Sequence, residues 1–477
     1  MAEKIAIVGA GPGGYVAAVR AAQLGGEVIL IEEDNVGGTC LNRGCIPSKV
    51  LITTSRLLDS FERAQEFGVR LEGAFCPDMQ TLLERKEKVI RDQSKGILEL
   101  LRHHKVRYVS GKAFFERRGQ IHVALPNGAK EEILWDKLIL APGTRPLGFS
   151  DFPFDGNGVI SSNDALGLRE IPQSVMILGG GVIGCEFAFI FSSLGSSVTI
   201  VEAMDRLLPL PSVDEACSRV LHREMKKRKI RVVLKRTVEG VAYEDGKLSV
   251  TTGPSPLIEG LGERERQQAV EPVEKLLVCV GRKPNTTGLG LENLGVKLDE
   301  RGWIIADDRM ETNVAGVYAV GDVLGPKKIM LAHVASTEGM VAAENALGGS
   351  RVMGYEAVPG AIFTLPEVAN VGLTEAQAAL QGVEARAETV LFRALGKARV
   401  IGEIAGEAKI VSDRKTGRVL GVHLVGPHAT DLIAEAALAM KMGATVQDLA
   451  NTIHAHPTLS EIMLETSLKS LGMSLHG

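Results

Sequence analysis

Cys40 and Cys45, five positions apart in GGTCLNRGCIPSK (37–49), are residue types that can pass electrons in pairs. In an ideal helix, residues five apart have Cα atoms about 8.6 Å from each other. A disulfide tolerates no more than about 7 Å, so the pair can bond only where the helix is distorted. Gly44 permits such a distortion, and the Pro47 ring clashes with the carbonyl four residues back. A bridge held in a distorted turn is more readily reduced than a relaxed structural one. The plainer reading is two small buried hydrophobes, which suits Cys76, Cys185, Cys217 and Cys279, each alone in its segment. Zinc would need four ligands, and no second Cys or His pair has finger-like spacing, so no metal site is expected.

Disulfide exchange needs a thiolate, and a thiol near pKa 8.5 beside a histidine near 6.5 is about 2.7 kcal/mol short of giving up its proton. A carboxylate beside the imidazole narrows that gap. HAHPTLSE (454–461) offers two candidate bases, His454 and His456, with Glu461 five residues beyond the second.

Two glycine motifs must position whatever these groups act upon. KIAIVGAG (4–11) carries Gly9, Gly11 and Gly14, then a helical stretch, then the strand EVILIE ending at Glu32. SVMILGGG (174–181) carries Gly179, Gly181 and Gly184, then another helix, then SVTIVE ending at Glu202. Eighteen positions separate the third glycine from the acid in both. The first glycine allows a tight turn, the second a close approach to pyrophosphate, and the third packing of helix on strand. The helix N-terminus meets the phosphates, and the acid meets the ribose hydroxyls. A carboxylate at Glu202 repels a 2′-phosphate and favours NAD over NADP, although Arg206 stands nearby.

The composition agrees with a nucleotide-binding α/β chain. Its 477 residues suggest about three or four units. Glycine is 54 of 477, above the usual share of roughly 7%. Aromatic residues are only 4%, and 54 Lys plus Arg against 58 Asp plus Glu leave a net charge of −4, which excludes nucleic acid as a partner. MAEKIAIVGAG runs straight into a strand without a secretory signal, and the apolar window 175–191 is interrupted by glycines and Glu186. A cytoplasmic protein with no membrane association is expected. The segment 80–105 has helical period with a solvated charged face, 251–272 reads as a long mobile hairpin loop, and the tail SLHG (474–477) as loosely held.

The cysteine segment resembles the redox-active segment of the flavin-dependent disulfide reductases. VGRKPNT (280–286), TNVAGVYAVGDV (312–323), MLAH (330–333), FTLPEVANVGLTE (363–375), GVHLVGPHATDLIAEA (421–436) and HAHPTLSE agree with it in family order. The resemblance implies an α/β fold with two Rossmann-like domains, for FAD and NAD, and a C-terminal α+β dimerisation domain. The divisions expected are 1–148 (FAD, with the redox disulfide), 149–278 (NAD), 279–348 (return segment completing the FAD domain) and 349–477 (dimer interface).

Carried over residue by residue, Gly9, Gly11, Gly14 and Glu32 hold the adenosine and pyrophosphate of FAD. Gly38, Thr39 and Lys49 lie along the flavin, with Pro142, Gly143, Thr144 and Asp322, and with Met330, Leu331, Ala332 and His333 alongside. Gly179, Gly181, Gly184, Glu186, Glu202, Val238 and Gly281 fall to NAD. Cys40 exchanges with substrate and Cys45 faces the flavin. His456, the histidine before proline, is the base, Glu461 orients it, and Lys49 pairs with Glu186. The resemblance further implies a homodimer in which His456 serves the other subunit's site, and oxidation of a protein-bound dihydrolipoamide with reduction of NAD⁺. The lipoyl groups belong to partner proteins of 2-oxoacid dehydrogenase or glycine cleavage complexes. Pro142 departs from the family's usual Ala-Thr-Gly-Ser loop, Arg43 stands where valine is common, and Asp431 where glutamate is.

Glutathione and mercuric reductases share the cysteine pair. Glu202 opposes the first, and the absence of any cysteine after Cys279 opposes the second. A redox-silent flavoprotein scaffold would have no use for Cys40, Cys45, His456 and Glu461 together.

Overall fold

The computed structural model describes residues 2–244 and 247–476. They gather into two compact units, one of Met1–Leu51, Asp78–Leu147 and Gly281–Tyr355, the other of Ile52–Pro77, Gly148–Val280 and Glu356–Gly477.

In the first unit the run KIAIV forms the strand Lys4–Val8, buried from Ile5 onward. A strand covered on both faces reads as an unbroken apolar run rather than an alternating one. It is central in a parallel sheet ordered Val317–Ala319, Lys137–Leu140, Lys4–Val8, Glu27–Glu32, Arg107–Ser110. The helix Pro12–Gln23 joins the third of these to the fourth, and its leading proline costs no hydrogen bond because the first-turn N–H is unused in any helix. Helix Ala332–Ala346 lies against it at a glycine contact. A Cβ on Gly339 would stand 2.3 Å from the Gly13 carbonyl oxygen. The helix Met79–His103 starts at Asp78, whose carboxylate accepts from the Thr81 N–H, and it carries the charged face expected of 80–105.

The second unit repeats the glycine module. The window that raised a membrane question is the strand Ser174–Leu178, a turn, and the helix Val182–Leu194. No helix among the described residues is long and apolar enough to cross a membrane. The strand sits in a second parallel sheet, ordered Arg231–Val233, Ser197–Val201, Ser174–Leu178, Lys275–Val278, Val159–Ser161. The same unit holds a five-stranded antiparallel sheet from 360–426, with Ala429–Lys441, Val446–Asn451 and Glu461–Ser470 as its helices. Phe392, Ile410, Leu424, Ile433, Ile462 and Met463 fill the core there. Lys409 joins the two parts of the unit, donating to both carboxylate oxygens of Asp214 at 2.8 and 3.0 Å, while Asp214 caps the helix Glu215–Lys227.

The stretch 251–272 corrects the sequence reading of one long loop. Strand Lys247–Pro254 runs eight residues and pairs with Ala269–Val273, so only the middle connects, and Glu263–Arg266 within it makes a helical turn. Leu248, Val250 and Thr252 point inward at every second position, a period that the surrounding Gly, Pro and charge obscure. Arg236 fastens the connection by donating to the carbonyls of Thr252, Glu265 and Gln267.

Candidate active site and nucleotide-binding loops

The two glycine loops have the same internal wiring. Gly9 N–H donates to Ile31 O and Gly179 N–H to Val201 O, both at 2.8 Å. Glu32 accepts from Ala10 N–H at 2.6 Å and Asp34 N–H at 2.9 Å. Glu202 accepts from Gly180 N–H at 2.5 Å and Met204 N–H at 2.7 Å. Each acid is therefore locked to the loop beside it. Burial is the main cause that raises the Glu32 carboxyl above its usual value, partly offset by the Ala10 N–H.

The glycines differ in what demands them. A Cβ on Gly14 would stand 1.8 Å from Gly9 O, and one on Gly184 1.9 Å from Gly179 O, so helix–strand packing forbids any side chain there. Gly9 and Gly179 have φ of +100° and +108°, which side chains rarely adopt. The middle glycines meet little inside the chain: the nearest neighbour of a Cβ on Gly11 is 3.9 Å away, and Gly181 has none within 4 Å. Each precedes the first turn of a helix. Open space, unused helix N–H groups and a fixed acid fit a dinucleotide pyrophosphate and ribose in both places.

The cysteine turn rests on the first loop. Gly37 N–H donates to Ala10 O at 2.8 Å, and a Cβ on Gly38 would stand 2.6 Å from the Gly11 Cα. Thr39 lies in the same short helix, Gly38–Arg43, and the helix breaks at Gly44 before resuming as Cys45–Glu62. Cys40 and Cys45, both half-buried, are free cysteines here instead of the expected bridge, and are hydrogen-bonded to each other through their side chains. That bond is the largest influence pushing the Cys40 thiol well above its usual range. Burial and the Cys45 charge add to it, and Lys49 opposes it. Lys49 donates to Ser48 Oγ at 3.4 Å. Arg43 pairs with Asp34 and lowers the Glu32 carboxyl, so its charge is felt at the first ribose acid.

A second cluster forms around Asp322. Thr144 Oγ1 donates to its carboxylate at 3.2 Å, and Arg282 Nε donates to Thr144 Oγ1 at 2.6 Å. Burial raises the Asp322 carboxyl, against the pull of Arg282 and Thr144. Burial also lowers the Arg282 guanidinium, which the charges of Asp322 and Cys45 partly restore. Pro142 supplies its carbonyl to Asn285 Nδ2, and Gly143, at φ +67°, supplies its own to Asn285 N–H. The loop that departs from the family pattern is thus held through its backbone. Met330 and Leu331 lead into the helix Ala332–Ala346, which places Ala332 and His333 in its first turn.

In the second unit, Val238 is buried just before a bulge in its strand, and Gly281, in the first unit, accepts from Leu147 N–H at 3.1 Å. Glu186 is buried in the helix Val182–Leu194 and accepts from Phe363 N–H at 3.0 Å. Arg206 donates to the carbonyls of Val213 and Leu210 and to Ser218 Oγ, so its guanidinium is occupied in shaping its own turn.

The two histidines separate by environment. His454 is 5% exposed at its side chain and has both ring nitrogens engaged, with Glu435 and with Thr452 O. His456 is 75% exposed, and its Nδ1 meets Glu461 Oε1 at 2.8 Å. Thr458 N–H holds the other carboxylate oxygen at 2.8 Å. Burial tends to raise the Glu461 carboxyl, but the His456 and Thr458 hydrogen bonds outweigh it and hold the group below the usual carboxylate range. Asp431 lies in the first turn of Ala429–Lys441, 3.6 Å from the His428 ring.

Residues 3–339 match the family model for pyridine nucleotide-disulphide oxidoreductases, and 358–467 match the model for the dimerisation domain of the same family. The chain belongs to the pyridine nucleotide-disulphide oxidoreductase family. Dihydrolipoyl dehydrogenases from Chlamydia muridarum and Haloferax volcanii are each 40% identical to it, with 98% and 99% of this chain and 97% of each relative covered. That of Thermus scotoductus is 41% identical, covering 97% of this chain and 96% of the relative. Among solved structures, LpdA from Mycobacterium tuberculosis superposes with a TM-score of 0.89 at 28% identity, covering 98% of this chain and 99% of that one. The HOCl-induced flavoprotein disulfide reductase RclA from Escherichia coli, in its Cu(II) complex, gives 0.84 at 27% identity, covering 99% of both chains.

As a member of the family the protein is an oxidoreductase that uses FAD and NAD(H). Its α/β fold carries the family's dinucleotide-binding and dimerisation domains. The sequence reading missed Arg282. VGRKPNT contains it beside Lys283, and nothing in the local pattern distinguishes the two basic residues; Arg282 is set apart by its bond to Thr144.

Proposed function

We propose that this chain is a dihydrolipoyl dehydrogenase working as a homodimer in the cytoplasm, on lipoyl-bearing proteins of 2-oxoacid dehydrogenase or glycine cleavage complexes. The observation that carries the reading is the side-chain contact of Cys40 with Cys45 on a turn seated against the first glycine loop. Residues 1–148 and 279–348 make the FAD domain in this reading, 149–278 the NAD domain and 349–477 the dimer interface.

FAD would be held by Gly9, Gly11, Gly14, Glu32, Gly38, Thr39, Lys49, Pro142 to Thr144, Asp322 and Met330 to His333. NAD would be held by Gly179, Gly181, Gly184, Glu186, Glu202, Val238 and Gly281. When bound, FAD supplies a two-electron carrier between the cysteine pair and NAD⁺. The chain's own residues handle sulfur and protons. His456 of the partner subunit takes the proton of one substrate thiol, with Glu461 stabilising the imidazolium. The resulting thiolate attacks Cys40 Sγ, and the Cys40–Cys45 bond breaks with its electron pair left on Cys45. The second substrate thiol then displaces Cys40 from the mixed disulfide, giving lipoamide and a reduced cysteine pair. Lys49 and Glu186 are assigned as an ion pair beside the flavin.

The direct test is NADH formation from free dihydrolipoamide, with glutathione disulfide and Hg²⁺ offered separately as oxidants of the NADH-reduced enzyme. Turnover with dihydrolipoamide alone supports the reading. Turnover only with either oxidant moves the protein to another branch of the family.

Coenzyme choice gives a second expected result. Glu202 is buried just after the strand Ser197–Val201, where this reading puts the ribose, and Arg206 is engaged elsewhere. Charges a few ångströms apart near a protein surface repel by up to about 4 kcal/mol, so kcat/KM for NADH should exceed that for NADPH by about 100-fold. Near-equal values would remove Glu202 as the discriminating group.

A further inference from the structure

Glu338 has no part in the assignments above, yet it is only 1% exposed. It stands in the helix Ala332–Ala346, whose N-terminal end follows Met330 and Leu331. Its Oε2 accepts from Gly321 N–H and its Oε1 from the Tyr355 hydroxyl, both at 2.7 Å. Gly321 has φ +78° and directly precedes Asp322. One carboxylate therefore ties the Asp322 turn to the helix that begins at 332 and to the end of the unit at Tyr355.

The groups that face Glu338 are few. The helix Pro12–Gln23 meets its neighbour Gly339 with Gly13 and Ala17, which carry no charge. Lys328 lies over the Tyr355 ring, 4.8 Å from its centroid, and pairs with Asp308. Asp322 is the nearby like charge. Burial pushes the Glu338 carboxyl up to about 7, against the Tyr355 and Gly321 hydrogen bonds and Lys328, with Asp322 adding to the rise. Burial and the charges of Glu338 and Asp308 push the Tyr355 phenol upward as well, so it remains an O–H donor.

We propose that Glu338 is a positioning residue for FAD, holding the Gly321–Asp322 turn through its bridge to Tyr355, and that its proton makes the bound flavin's surroundings responsive to pH. This rests on the reading that Asp322 and Met330 to His333 meet FAD. The amide of E338Q can keep both bonds, its oxygen accepting from Gly321 and its nitrogen donating to the Tyr355 oxygen, but it cannot titrate.

The sign of the linked stability effect is fixed. The folded state holds the Glu338 proton at pH values where the unfolded chain, near 4.3, has lost it. Stability therefore falls as pH rises from the unfolded value through about 7.

The test uses purified holoenzyme and reads three signals: the rate of FAD release, the pH titration of bound-flavin fluorescence, and the melting temperature against pH. E338A should release FAD about tenfold faster, as expected for loss of hydrogen bonds to a buried charged group, and E338Q should restore slow release. Wild type should show a fluorescence inflection near pH 7 that E338Q lacks. E338Q should also flatten the fall in melting temperature over the same range. Y355F removes a hydrogen bond that lowers the Glu338 carboxyl, so its inflection should move to higher pH. Wild-type FAD release in E338A, an unchanged inflection in E338Q, or an unmoved one in Y355F would each overturn the proposal. D322N separates the two levels: faster FAD release there with a silent Glu338 sinks only this inference, whereas unchanged release in D322N removes the flavin assignment and this inference with it.

Discussion

Cys45→Ser should lower dihydrolipoamide-dependent NADH formation by at least about 10³-fold while FAD stays bound, because a serine oxygen can neither form the bridge nor carry its electron pair. Cys40→Ser should fall as far in turnover. The two variants are distinguished by the thiol that remains. Cys40→Ser also deletes the hydrogen-bond partner of Cys45, and Cys45→Ser removes the largest influence raising the Cys40 thiol. Cys40 in Cys45→Ser should therefore be alkylated faster at neutral pH than Cys40 in reduced wild type. Stopped-flow reduction of the flavin by substrate, with alkylation rates followed by mass spectrometry, measures both effects. Substantial turnover in either variant would remove the cysteine pair from the electron path and with it the proposed function.

The second large effect is expected at His456. Positioned general bases contribute about 10²–10⁴-fold, and His456→Gln should lose that much in dihydrolipoamide oxidation while keeping FAD and the dimer. Glu461→Gln should lose less, since the imidazole survives, but its pH–rate profile should shift to lower pH. Removing the carboxylate removes a charge that favours imidazolium, so the basic group in the profile should titrate at lower pH. The Glu461 carboxyl is itself held low, so its contribution to stability is present above the unfolded carboxylate value and disappears as pH falls through the lower folded one. His454→Gln is the control. Its ring is buried against Glu435 and Thr452, so it should cost stability and spare kcat. Wild-type turnover in His456→Gln, or a kcat collapse in His454→Gln alone, would exchange the roles of the two histidines.

Features carried by local spacing were legible in the sequence. The two glycine modules announced themselves because a strand, a turn, a helix and a terminal acid must recur at fixed intervals to build one wiring diagram, and Glu32 and Glu202 accept from equivalent N–H groups. The break between Cys40 and Cys45 could be foreseen from Gly44 and Pro47, and the chain stops its helix at Gly44. His456 and Glu461 are close in sequence, and their hydrogen bond needs only a short turn.

Features made by distant chain segments were not legible. Nothing in the local sequence of Lys409 points to Asp214, 195 residues away. Arg282 acquires its meaning from Thr144, which opens the strand Thr144–Pro146, and from Asp322, which lies in a short helical turn much further along the chain. Glu338 looks like one more helix carboxylate until Gly321 and Tyr355 converge on it. Arg43 was conspicuous as an unusual residue, but its partner Asp34 became evident only in three dimensions. The strands on either side of the 255–268 connection were hidden for the opposite reason: the composition of the connection masked the alternation of its flanks.

The double engagement of Glu202 also constrains any redesign of coenzyme preference. Truncating it to alanine to admit a phosphorylated ribose would strip acceptors from Gly180 and Met204, leaving one buried and one half-buried main-chain donor without their partner. A successful swap would have to supply replacement acceptors along with the new positive charge. Retooling this loop is therefore a matter of rebuilding a turn, and a single exchange of side chains would loosen the scaffold before it broadened the choice of coenzyme.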